Sequence, residues 1–323
     1  MSIEASLSRS GQNNQSGDEK ALFEKKMQTD VLRYFQSTNI AKELLTNKTI
    51  ENGKSAAFPI IGNASASYHV AGTLLEGDNI AATEREITID DMLVGFCYVP
   101  DIDDAMVHYD ANSAYNESIG RALGKRFDED AFRMVAIAGN IVDAATALAA
   151  GLRVFADDTY TQVITFAAAG DELIGAKVYA KVVEAISARV DGDIVGEAVI
   201  VLRPTSYFAL LNNPANTGMT WANDEASQSG KVPMVLGHKV LTSPHLPTAN
   251  DSANTALNAK YRADFRKTVG LIFSKEAVGC LQLVGITMRS DYVPTRLSTL
   301  MVGKYAVGFG VLNHSAAQIL KSF

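Results

Sequence analysis

Between positions 18 and 45 apolar side chains return every four residues, at Phe23, Met27, Val31 and Phe35, with Leu32 and Leu44 widening the stripe. That spacing lines one face of an α-helix and predicts a helix over 18–45, with Asp18 as its cap. Residues 1–17 before it are rich in Ser, Gly, Asn and Gln and are expected to be mobile. From 53 the period changes. Gly53, Pro59, Gly62, Gly72 and Gly77 interrupt any helix, and Ile87, Ile89, Met92, Val94, Phe96 and Tyr98 alternate as a strand does. The polar stretch "GTLLEGDNIAATERE" lies between the two halves. The pattern predicts one long hairpin over 53–98 with few apolar residues near its tip. Such a hairpin is marginal alone and needs something to lie against, another subunit being a candidate.

Helical spacing returns over 111–142, where Tyr115, Ile119, Leu123, Phe127, Ala131, Met134, Ala138 and Ile141 fall at steps of three and four. A helix of that length is about 45 Å long at 1.5 Å per residue, twice the usual. Beyond 150 the two periods mix. "TQVITFA" (161–167) reads as a strand and 171–190 as a helix with Ile174, Val178, Val182, Ile186 and Val190 on one face. "EAVIVL" (197–202) is an apolar strand, ended by Arg203-Pro204-Thr205, which opens a short helix through Leu211. Residues 212–231 form a loop, polar apart from Met219 and Trp221. "VLGHKVLTSPHL" and "TVGLIFS" supply further strands, and the last forty residues alternate around "RLSTLMVGKYAVGFGVL". The mixture is α+β, without an internal repeat.

Composition narrows the function classes. With 323 residues and 47% hydrophobic content the chain can bury a large core. Lys and Arg total 29 against 36 Asp and Glu, a net charge of -7, which argues against a nucleic-acid-reading surface and against an anionic membrane. Two cysteines, Cys97 and Cys280, make no disulfide framework and suit a reducing cytoplasm. The N-terminus lacks the apolar run of a secretory signal, and the most apolar window, 131–156, is broken by Arg133, Asn140, Asp143 and Arg153, so no membrane span is expected.

The search for chemistry yields little. "GDELIGAKV" misses a phosphate loop because Ala176 displaces Lys177 and no hydroxyl follows. "GFG" at 308–310 is too short for a dinucleotide fingerprint, and no Gly-x-Ser-x-Gly elbow exists. His69, His108, His238, His245 and His314 are scattered; His245, in "SPHLP", suits a turn or an interface, and Cys280 among apolar neighbours reads as a buried, inert thiol. The densest cluster is "DIDDAMVHYD" (101–110). Asp103, Asp104, His108 and Asp110 have the chemistry of a metal site, and on a helix Asp104 and His108 share a face. The same composition also suits the first turn of a helix, where free N–H groups and the dipole favour acids.

"GKSAAFPIIG" (53–62), "EITIDDML" (86–93), "DIDDAMVHYDANSAY" (101–115), "MVLGHKVLTSPHL" (234–246), "VGLIFSKEAVG" (269–279) and "KYAVGFGVLNHSAA" (304–317) occur in one order. As an ordered set they resemble the major capsid proteins of short-tailed, T-seven-like bacteriophages (podoviruses), which have the HK-ninety-seven-type capsid fold. The resemblance implies an N-terminal arm at 1–52 and an extended β-hairpin loop at 53–98. It implies a peripheral domain with a long spine helix at 99–150, a mixed α/β axial domain at 151–284 and C-terminal strands of the peripheral domain at 285–323.

It implies a structural, self-assembling protein of the virion, not an enzyme, without metal or cofactor. Hexameric and pentameric capsomers would form an icosahedral head around double-stranded DNA held without sequence-specific binding. The implied partners are further copies of the chain, a scaffolding protein during assembly in the bacterial host cytoplasm and a portal protein at one vertex; no membrane partner is implied. On this reading 101–110 joins the extended loop to the spine helix and its aspartates are helix-start residues. The inter-subunit contact candidates are Glu76, Asp78, Arg85, Glu86, Asp103, Asp104, His108 and Arg289. Competing readings are an encapsulin-like cellular shell holding cargo enzymes and a metal-dependent hydrolase using the 101–110 cluster. Some relatives weld neighbours through an extended-loop lysine, but residues 55–97 contain none, so noncovalent contacts are expected to hold this shell.

Overall fold

A computed structural model describes residues 21–61, 68–69, 72, 74, 82–102, 111–141, 162–192, 194, 196–211 and 234–323. In chain order its elements are α1 (Ala21–Thr38), β1 (Thr46–Thr49), β2 (Ser55–Ile61), β3 (Ala82–Thr88), β4 (Leu93–Pro100), α2 (Ala111–Gly139), β5 (Val163–Thr165), α3 (Gly175–Asp191), β6 (Val199–Leu202), α4 (Pro204–Leu211), β7 (Met234–Val235), β8 (His238–Thr242), β9 (Thr268–Phe273), β10 (Val278–Val293), β11 (Ser298–Val311) and β12 (Ala317–Lys321). They divide into two compact units. One takes Met1–Asn39, Asp91–Phe127 and Val284–Val307; the other takes Ile40–Asp90, Asp128–Leu283 and Gly308–Phe323. The last stretch of chain is therefore shared, with 284–307 in the first unit and 308–323 in the second.

In the first unit α1 and α2 meet backbone to side chain. Met27, Val31 and Phe35 of α1 are buried as the four-residue stripe predicts, and so are Ile119, Leu123 and Phe127 of α2. Gly120 and Gly124 let the helices approach: a Cβ on Gly120 would stand 2.8 Å from the Val31 carbonyl oxygen, and one on Gly124 3.3 Å from that of Phe35. Phe35 sits edge-on to Phe127 at 5.8 Å and to Tyr305 of β11 at 5.6 Å, a mutual arrangement that aromatic quadrupoles favour. β4 pairs antiparallel with β11 from Ser298↔Pro100 to Tyr305↔Leu93. The inner face of that pair carries Gly95 and Gly303, whose absent side chains admit Ile119 of α2; a Cβ there would come within 3.1 and 2.9 Å of it.

Two expectations change here. The hairpin predicted over 53–98 ends at Thr88: β2 and β3 are its arms, and 93–100 pairs with β11 instead. Alternation marks a strand but does not choose its partner. The helix predicted over 18–45 stops at Thr38, and a 3-10 turn follows at Ala41–Leu44. The N–H groups of Ile40 (3.2 and 3.1 Å) and Ala41 (3.1 Å) donate to the Asp128 carboxylate, so they are withdrawn from any helical ladder. Residues 1–20 lie outside the described residues.

The second unit is built on a six-stranded sheet of order β5-β12-β9-β6-β8-β7. The central strand β6 is the apolar run that the sequence marks, and its neighbour β9, expected as a further strand, is buried throughout. Val178, Val182 and Ile186 of α3 and Tyr207 and Leu210 of α4 join Ile200, Leu202, Ile272 and Leu320 of the sheet in one core. The predicted α3 stripe is too long. Ile174 caps the helix and Val190 is exposed, while Ala185 and Arg189 complete the buried face. Arg189 is tolerated there because its guanidinium donates to the Ala316 carbonyl at 3.0 Å. A tight turn at Leu236 (φ 49) and Gly237 (φ 81) links β7 to β8. No described helix is long and apolar enough to cross a membrane.

Candidate functional site

β2 and β3 pair in register from Ser55↔Thr88 to Ile61↔Ala82. Among the described residues of this hairpin, those with a core lie at its base. Phe58 and Ile87 pack with Leu281 and Leu312, while Tyr68 and Leu74, between the arms, are fully exposed. Gly308 and Gly310 of β11 admit the base, since a Cβ on Gly310 would lie 2.8 Å from Ile87 and one on Gly308 would overlap the Thr88 carbonyl. Lys48 adds its ammonium over the Phe58 ring at 5.1 Å and donates to the Ala57 carbonyl at 2.8 Å.

A polar knot holds the turn after β3. The Asp90 carboxylate accepts from the Tyr261 hydroxyl, from Lys260 Nζ at 2.7 Å and from Asn258 Nδ2 at 3.1 Å. Lys260 also donates to the carbonyls of Thr88 (3.3 Å) and Phe309 (3.1 Å). Tyr261 accepts from the Phe309 N–H at 3.3 Å. Burial first, then the Asp90 charge and the hydrogen bond to it, push the Tyr261 pKa well above its usual value. A second knot centres on Asp128, which is completely buried. Besides the N–H groups of Ile40 and Ala41 it faces His245 Nδ1 at 3.3 Å. Sequence reasoning missed both. Asp90 and Tyr261 are far apart in the chain, and no local pattern joins them. Asp128 did carry a signal, since an acid beside Phe127 and three before Ala131 falls at the edge of the buried stripe.

The named contact candidates fare unequally. Glu86 is exposed on the hairpin and accepts from the Ser55 hydroxyl. Arg85 is half-buried, opposite Phe58, and Arg289 is exposed on β10. Glu76, Asp78, Asp103, Asp104 and His108 lie outside the described residues, as does Asp110. Asp101, which opens the acidic stretch, is exposed and accepts the Tyr292 hydroxyl at 2.9 Å, and its N–H donates to the Leu297 carbonyl at 3.1 Å. Among the described residues no group of three or more His, Cys, Asp or Glu could hold a metal ion.

The outer face of β4 is apolar and open. Phe96 is 67% exposed between Val94 and Tyr98, and Arg296 lies over the Tyr98 ring at 4.6 Å. The sequence suggested Met92, Val94, Phe96 and Tyr98 as a single apolar face. They do form one, but it is the solvent face, because the inner positions Gly95 and Gly303 have no side chains to mark them.

A long helix, a hairpin anchored at its base and a mixed sheet flanked by helices make the HK-ninety-seven-type fold of phage capsid proteins. The capsid structure of cyanophage P-SCSP1u is 29% identical and matches 88% of each chain with a TM-score of 0.69. The chain belongs to the Gp10A-like major capsid protein family, whose model matches residues 57–321. The major capsid protein of Escherichia phage T7 is 28% identical over 94% of this chain and 92% of its own length. A virus-like particle from Pyrococcus furiosus, 12% identical over 92% of this chain and 99% of its own with a TM-score of 0.53, shares the fold alone. The protein is thus a structural phage capsid protein that assembles into a shell as part of the virion.

Proposed function

We propose that copies of this chain form hexameric and pentameric capsomers that close into an icosahedral head around double-stranded DNA. The observation that carries the reading is the family match over 57–321. In this reading 1–52 is the N-terminal arm, the hairpin within 53–98 reaches over a neighbour, α2 is the spine of a peripheral domain at 99–150 and 285–323, and 151–284 is the axial domain. A shell of one chain type repeats head-to-tail contacts, so each subunit needs a donor and an acceptor surface. The hairpin, whose described core residues Phe58 and Ile87 lie at its base, has the character of a donor. The exposed Glu86 and Arg289 suit polar contacts with neighbouring copies, and so do Arg85, Glu76, Asp78, Asp103, Asp104 and His108. Assembly takes place in the host cytoplasm with a scaffolding protein, and a portal protein occupies one vertex. The chain carries out no catalytic step.

The test is co-expression with the scaffolding protein and electron microscopy of the product. Closed particles are expected. Replacing Leu74 to Thr83 by a short Gly-Ser turn leaves the second unit folded, because Phe58 and Ile87, which tie the hairpin to its core, lie outside the replaced stretch, and halts assembly at or before capsomers. Normal particles from that variant, or a chain that stays monomeric under all assembly conditions, would refute the assignment.

A further inference from the structure

The end of α2, the turn before β9 and the end of β12 enclose a cleft of about 520 Å³ lined by Asn140, Asp264, Arg266, Lys267, Thr268 and Lys321. Its charge is out of balance with the rest of the chain. Three cations face one carboxylate, in a protein whose net charge is -7. That carboxylate is already engaged: Arg266 Nε reaches the two Asp264 oxygens at 3.0 and 3.1 Å and Nη2 reaches one of them at 2.6 Å. Among the described residues no carboxylate lies within ion-pair distance of Lys267 or Lys321. Lys321 spends one of its protons on Asn140 Oδ1, which leaves the Asn140 amide as a further donor. Burial lowers the Lys321 pKa; Asp264 pulls it back up and Lys267 depresses it further.

We infer that this cleft is an anion site that takes a phosphate group, held by the ammonium groups of Lys267 and Lys321 with the Arg266 guanidinium and the Asn140 amide at its edge. Three cations against one carboxylate leave two net positive charges, which match the charge of a phosphate at neutral pH. The cleft is far larger than one side-chain carboxylate from a neighbouring copy requires, and it leaves room for whatever the phosphate is attached to. The donors are nitrogen-rich, which suits an acceptor with three or four oxygens. The phosphate has two sources, a free phosphate ion or the backbone of enclosed DNA. The second rests on the proposed DNA-filled head and the first does not.

The test uses the full chain. Calorimetric titration with inorganic phosphate at low salt is expected to give saturable binding, weakened about tenfold by Lys267→Ala and by Lys321→Ala. Lys304→Ala, on β11, leaves it unchanged. Lys267 is exposed, so its variant folds normally, and an unchanged unfolding midpoint verifies that. In a second arm the variants bind a short DNA duplex over a range of salt. If DNA is the source, each lysine removed lowers the salt slope by about one unit. If only free phosphate is taken, the slope is unchanged while phosphate binding falls. Absence of saturable phosphate binding, or binding indifferent to both substitutions, overturns the site. So does wild-type chain that binds neither anion while Lys267→Glu blocks shell closure, because the cleft would then receive carboxylates of a neighbouring copy.

Discussion

Lys260 holds its ammonium 2.7 Å from Asp90 Oδ1, with both side chains mostly withdrawn from water. The pair sits where the hairpin leaves its last anchored residue, so its loss loosens the base of the hairpin first. Asp90→Ala strips partners from Lys260, Tyr261 and Asn258 together and is expected to cost about 2–3 kcal/mol. Lys260→Ala leaves Asp90 with two donors and costs about 1 kcal/mol. Urea unfolding of unassembled chain measures both, and hydrogen exchange should quicken at amides 82–89. An Asp90→Ala chain as stable as the parent would contradict the knot.

Tyr261 gives the same knot a pH dependence. Its pKa is well above that of the unfolded chain, so above about pH 10 the unfolded state releases a proton that the folded state keeps. Stability is then full below that pH and falls as pH rises toward the folded pKa. Tyr261→Phe removes this alkaline loss at the cost of about 1 kcal/mol near neutrality. Parallel denaturation curves from pH 8 to 11 test the sign.

At the buried Asp128, substitution by Ala leaves the N–H groups of Ile40 and Ala41 without their acceptor. The expected loss is about 3 kcal/mol, and Asp128→Asn, which keeps one acceptor oxygen, loses roughly half as much. Denaturant midpoints at constant slope measure the series.

Gly120 and Gly124 set helix propensity against space. Ala is favoured over Gly within a helix by about 1 kcal/mol. At Gly120 the new methyl meets a backbone oxygen at 2.8 Å, so overpacking of about 1–3 kcal/mol wins and Gly120→Ala destabilises. At Gly124 the contact is 3.3 Å and the two effects nearly cancel. Equal effects at the two positions would show that the helices do not meet as described.

The two thiols should differ in reactivity. Burial pushes the Cys280 pKa up to about 12, so it carries almost no thiolate at neutral pH, whereas Cys97 is half-exposed on β4. Iodoacetamide is expected to label Cys97 alone in the native protein and both after unfolding, as read by mass spectrometry.

Some of this was legible because period and burial coincide. α2 runs over Ala111–Gly139 where the stripe predicts 111–142, and every stripe residue from Ile119 to Ala138 is buried. β6 stands out as an unbroken apolar run. What escaped were the features carried by pairing and by missing atoms. β4 alternates as well beside β3 as beside β11, and the choice rests on Gly95 and Gly303, which admit Ile119. Arg189 and Asp128 went unmarked because their acceptor and donors lie on distant stretches of backbone. The Asp90 knot depends on residues that folding brings together from distant parts of the chain.

The six-stranded sheet also fixes an order of events during synthesis. β5 enters it only through β12, which lies between β5 and β9. Early-made β5 therefore has no edge to join until the ribosome has delivered residues 317–321. Long-range pairing of this kind folds slowly. The second unit is completed only after translation has passed its last strand, so a half-made subunit lacks the finished surfaces with which to engage its neighbours.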